Sequence, residues 1–115
     1  MYEIIYYETA RGDQPVALFL DELQKKVRAK VFRYLADLLA VHGPNLKRPF
    51  ADVVRGKIRE LRVRFASDSV RVLYFFAGRE IVLLHGILKK TQELSSADIE
   101  TAERRMNDWL QRRPR

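Results

Sequence analysis

The chain has no cysteine, so neither a disulfide framework nor a thiolate metal site can be built from it. Its histidines number only two, His42 and His85, and no carboxylates gather around them in a ligand pattern. No metal and no cofactor is expected. Apolar runs never approach the ~20 residues that span a bilayer. The opening MYEIIYYETARGD carries acids and tyrosines where a secretory leader has a basic segment and then an apolar one. A glycine-rich phosphate loop and a nucleophile elbow are also missing. These absences predict a soluble, cytoplasmic protein with no membrane partner.

What is present is one domain's worth of chain, residues 1–115, with 47% hydrophobic residues to fill a core. The net charge is +7 and unevenly spread. Residues 1–46 are neutral, residues 47–71 carry +5, residues 72–103 carry −2 and residues 104–115 carry +4. Charge concentrated in this way suits a polyanion or an acidic protein, and it suits a solubilising face equally well.

The hydrophobic pattern gives an α+β order of β-α-α-β-β-β-α. Tyr2–Tyr7 reads as a strand. A helix opens at Pro15 with Asp13 or Gln14 as its cap, and Val16, Phe19, Leu20, Leu23 and Val27 repeat at helical spacing. A tight turn within Gln24–Lys30 would fold this region into a helical hairpin, which His42-Gly43-Pro44 ends. NLKRPFADVVRG reads as a loop. Strands over Lys57–Phe65, Ser69–Ala77 and Glu80–Leu88 form an antiparallel meander, and a final helix starts at the capping box Ser95-x-x-Asp98. Ile99, Ala102, Met106, Trp109 and Leu110 make its apolar stripe. The result is a small, mainly antiparallel sheet packed with helices.

Strand alternation puts Glu60, Arg62, Arg64 and Arg71 opposite the core face. A two-residue turn at Ser67-Asp68 would set Arg64 against Arg71 on an open face, so that Arg71→Ala should spare the fold. Like charges opposed across strands are destabilising, so such a face invites an anion. The alternative is that these arginines pair with Glu60, Asp68 or helix acids. The side that His85 takes depends on the preceding turn: a two-residue turn places it in the core, a three-residue turn beside the arginines. Tyr74 belongs by alternation to the core, and His42 suits a helix C-terminus. Lys89-Lys90 is either a solvated strand exit or the rim of an anion site.

The motifs Glu60-Leu61-Arg62, Arg71-Val72-Leu73-Tyr74 and His85-Gly86 running to Lys89-Lys90-Thr91, followed by a helix containing Ala102, resemble the RelE/ParE toxin superfamily of type II toxin–antitoxin systems. Together with PVALFLDEL and LLAVHGP upstream, they resemble its HigB-like, phage-derived branch. The resemblance implies a RelE-like fold and a toxin that cuts mRNA on the ribosome; ParE relatives inhibit DNA gyrase instead. By position, Arg62 falls on the basic residue of the second strand and Arg71 on the arginine at the scissile phosphate. Lys90, with Lys89 beside it, falls on the basic residue after the last strand. Arg64, Arg104 and Arg105 would hold RNA, while Arg112 and Arg113 would either join them or fray. The general base stays open among Glu60, His85 and Tyr74, because the family's tyrosine is replaced by ELSSA and a family lysine by Glu60. Partners implied are a cognate antitoxin, expected to be a helix-turn-helix protein, and mRNA with the ribosome. A gyrase inhibitor and a basic RNA-binding module are the alternatives.

Overall fold

A computed structural model describes residues 1–89 and 93–113. Five strands form one sheet in the order β1-β5-β4-β3-β2, with β1 (Glu3–Tyr6), β2 (Ala51–Arg55), β3 (Ile58–Phe65), β4 (Asp68–Ala77) and β5 (Glu80–Lys89). β1 runs parallel to β5 and every other pairing is antiparallel. The α+β reading holds, with one strand added. The stretch expected as a loop contains β2, which turns into β3 through Gly56-Lys57, with Gly56 at φ +54°. Its five residues include Ala51 and Asp52, poor strand formers that hold this shape by pairing with β3.

α1 (Pro15–Asp21) and α2 (Lys25–Arg33) are separate helices as expected, and the break between them, Glu22–Gln24, reaches only the first residue of the segment in which it was sought. Gln14 is the N-cap residue of α1 and makes no side-chain cap bond. α2 continues through a π-helical stretch, Tyr34–Leu39, into α3 (Ala40–His42), where Gly43 closes it at φ +52°. α4 (Ser96–Arg112) is capped by Ser95, whose hydroxyl accepts the Asp98 N–H at 3.1 Å. Among the described residues no helix is long and apolar enough to cross a membrane.

Both faces of the sheet carry helices. On one, Val16, Leu20, Val31, Leu35 and Leu39 pack against Leu61, Val63, Val72, Tyr74 and Leu83. On the other, Ala102, Met106 and Trp109 of α4 pack against Ile58, Leu73, Phe75, Val82 and Leu84, while Leu110 stays exposed. The face expected to be open is therefore half covered.

Gly86 fixes the seat of α1 on β5. A Cβ there would lie 2.3 Å from the Phe19 ring, so only glycine admits this contact. Gly86→Ala should lower stability by about 1–3 kcal/mol, the usual cost of overpacking. Adding Phe19→Ala should remove the part of that loss due to the clash. Urea midpoints of the single and double variants check this; additive losses would show that the contact is not the cause.

Candidate functional site

The β3–β4 turn is Ala66-Ser67, so the strand pairing slips by two residues from the expected one. A slip of two keeps every side chain on its face. Arg71 now opposes Arg62, and Arg64 opposes Ser69. Continued into β5, the face holds three rows across the strands: Arg64–Ser69–Lys89, Arg62–Arg71–Ile87 and Glu60–Leu73–His85. The next row, Ile58–Phe75–Val82, is apolar and lies beneath α4, with Trp109 edge-on to Phe75 at 5.7 Å. The helix thus seals the apolar end of the face and leaves the cationic end beside it.

Arg71 is not open as the alternation suggested: it is 2% exposed. Its Nη1 donates to Glu60 Oε1 at 2.8 Å and its Nε to Ser69 Oγ at 3.2 Å. Glu60, itself 5% exposed, accepts from Arg62 Nη2 on its other oxygen at 3.1 Å. Arg62 also comes within 3.6 Å of Asp52, a residue of the unforeseen strand. The pairing alternative is therefore realised for Arg62 and Arg71. Arg62 remains partly exposed and Arg64 exposed. A cleft of about 370 Å³ is lined by Arg62, Arg64, Ser69 and Arg71 together with Tyr34, Pro49 and Phe50.

His85 reaches the arginine face by a route that neither turn alternative contained. The turn at Gly78-Arg79 has two residues, yet a bulge in β5 shifts the register, so Tyr74 pairs with Leu83 and Leu73 with His85. His85 Nε2 lies 2.9 Å from Asp98 Oδ1, and its Nδ1 lies 3.3 Å from Arg105 Nη1. Arg105 has only donors, so Nδ1 accepts and Nε2 donates to the carboxylate. Both ring nitrogens are occupied. Arg105 also donates to the Leu84 carbonyl in the bulge at 2.8 Å. Arg105, expected among the RNA contacts, is thus turned inward, and burial followed by the charge of Arg104 lowers its pKa despite an opposing contribution from Tyr7. Arg104 is exposed.

Lys89 Nζ lies 3.5 Å from Asp98 Oδ2. Burial works to raise the Asp98 pKa, but hydrogen bonds from His85 and Ser95 and the charge of Lys89 together hold it below the usual value. Asp98 was visible in the sequence only as a capping residue; its second role needs the bulge that brings His85 to it. Tyr34, Phe50 and Asp52 gave no sequence signal of belonging to the site. Tyr74 is fully buried, its hydroxyl has no hydrogen-bond partner among the described residues, and burial pushes its pKa up to about 12, so it is core and not a base. Lys90 lies outside the described residues. Arg112 is held by Asp108 at 2.7 Å, and Arg113 sits over the Trp109 ring at 4.8 Å and pairs with Glu80 at 3.2 Å, so neither frays. His42 is exposed at the end of α3. Among the described residues no group of three or more His, Asp or Glu is placed to hold a metal ion.

The sequence model of the phage-derived protein Gp49-like family (DUF891) matches residues 18–107, which span α1 from Leu18 to most of α4 and include every row of the site. No curated protein matches the chain.

Two outcomes follow from the geometry. Arg71→Ala leaves the buried Glu60 carboxylate short of a cation and should cost about 3–5 kcal/mol, contrary to the expectation that the fold is spared. Replacing both Glu60 and Arg71 by leucine should recover most of that loss, and urea unfolding of the two variants reads the difference. The lowered Asp98 pKa means that its bonds contribute fully above the ordinary carboxylate value, about 3.9, and are lost as pH falls through the folded value. Asp98→Asn should therefore flatten the decline in stability below about pH 4, as unfolding at a series of pH values would show.

Proposed function

Because the chain belongs to the Gp49-like family, a family of RelE/toxin-like proteins, we propose that it is a HigB-like toxin of a type II toxin–antitoxin system. It acts in the cytoplasm as a metal-independent endoribonuclease on mRNA held by the ribosome. The observation that carries this reading is the pair of cationic rows beside a cleft, Arg64–Ser69–Lys89 and Arg62–Arg71.

RNA brings its own nucleophile, so the protein's task is alignment and charge stabilisation. The 2′-oxygen attacks the adjacent phosphorus and loses its proton, and the bond from phosphorus to the 5′-oxygen breaks. The upstream fragment ends in a 2′,3′-cyclic phosphate, and the downstream one in a 5′-hydroxyl. Arg62 and Arg64 neutralise the phosphorane oxygens, with guanidinium forks suited to phosphate. Lys90 or Lys89 supplies the proton to the leaving oxygen. Arg71, held by Glu60 and Ser69, positions Arg62 through the shared carboxylate. Of the three residues considered for proton removal, Glu60 is the one left beside the cationic rows, and both its oxygens retain acceptor capacity. A cognate antitoxin of helix-turn-helix type would cover these rows with acidic side chains.

One observation favours a second reading, a toxin that binds gyrase without catalysis. Glu60 already engages two of the arginines, and both His85 nitrogens are occupied. Mapping of RNA ends on programmed ribosomes separates the two. Arg62→Ala should slow cleavage about 100-fold, the scale of one lost oxyanion donor. A 2′-deoxy sugar at the scissile position should abolish cutting, and a 5′-phosphate on the downstream fragment would overturn the mechanism. Growth arrest without any cleaved RNA, with supercoiling by gyrase blocked in vitro, would establish the second reading.

A further inference from the structure

The cleft has a wall that phosphate chemistry does not use. Tyr34 and Phe50 stand edge to face, with ring centroids 5.8 Å apart and an interplanar angle of 73°. Both are partly exposed, and Pro49 extends the same wall. Neither ring is free to drift. Tyr34 opens the π-helical stretch, a distortion often found at functional sites. The Lys30 ammonium sits 5.6 Å from its centroid while donating to the Arg64 carbonyl. The Phe50 carbonyl in turn accepts the Arg62 N–H at 2.8 Å. The aromatic wall is thus bonded to the strand that carries the arginines, and both line one cleft.

We infer that this cleft is a nucleobase subsite for single-stranded RNA: one base stacks on the Tyr34–Phe50 wall while its flanking phosphates lie on Arg62 and Arg64. The inference rests on the reading of this face as an RNA site and names what the cleft beside it holds. Aromatic side chains next to cations that track a backbone are how single strands are held without strict sequence preference, because every base offers a π-face. The cleft's volume of about 370 Å³ lies within the range of about 300–1,000 Å³ usual for small-ligand sites. A site for phosphate alone needs no such wall.

The probe is a labelled 2′-fluoro oligoribonucleotide, which cannot be cut, compared with the same oligomer carrying one abasic position moved along its length. The intact protein should bind the parent oligomer, and one abasic position should weaken binding about tenfold, the scale of one stacked base. That penalty should shrink in Phe50→Leu and in Tyr34→Leu but persist in Arg62→Ala, whose effect is a shallower salt dependence. Phe50 also packs against the core, so a second measurement covers the case of a variant that does not fold. On the unmodified protein, adenosine monophosphate should shift the Tyr34 and Phe50 ring resonances by ring current, and ribose 5-phosphate should not. Equal affinity for parent and abasic oligomers at every position, or no binding of either, overturns the inference. If bases matter yet no RNA is cleaved on ribosomes, the nuclease reading falls and the subsite stands. If mRNA is cleaved while abasic oligomers bind unchanged, the subsite alone falls.

Discussion

Arg62 and Arg71 face each other directly across β3 and β4, a placement that would push the strands apart if nothing lay between the charges. Glu60 lies between them, one oxygen on each guanidinium. The carboxylate and Arg71 are both almost wholly enclosed, so removal of either leaves a charge in a poor solvent for charge. This shared carboxylate lets the sheet keep its cations together in one register. It also sets which cations stay accessible: Arg71 becomes a fixed support, and Arg62, with Arg64 beyond it, keeps exposed surface.

A second constraint runs through the β5 bulge. The extra residue at Leu84 turns His85 toward α4, where Asp98 and Arg105 take both its nitrogens and Arg105 holds the Leu84 carbonyl. The same Asp98 belongs to the cap that starts α4 and lies next to Lys89. The start of the helix, the kink of the strand and the approach to the cationic rows are therefore tied by one carboxylate. α4 covers the apolar row of Phe75, and its first turn brings Asp98 to His85 and Lys89 at the β5 ends of two polar rows, so the helix shapes the site by its position.

Membership of the Gp49-like family makes this a toxin-like protein, and its cationic face is the most strongly charged feature of the sheet. The face is partly neutralised from within by Glu60, Asp52 and Asp98, which leaves the exposed Arg64 and the outer side of Arg62 as its accessible cations. The cleft is lined by two chemically distinct groups, the aromatic pair Tyr34 and Phe50 and the guanidinium groups of Arg62, Arg64 and Arg71.

By itself the sequence determined the α+β order, the capped final helix and the face on which each arginine stands, because side-chain alternation and capping are local rules. The arginine face survived a wrong turn assignment, since a slip of two residues does not change sides. β2 was not legible, because Ala51–Arg55 is a strand only through its pairing with β3. The side that His85 takes was not legible either: a bulge is set by how β4 and β5 fit together and leaves no mark in the composition of β5. Which cations stay open, and which are enclosed by a carboxylate and a crossing helix, depends on residues distant in sequence meeting in space. Only the tertiary structure decided that, because burial and pairing are properties of neighbours that the chain brings together by folding.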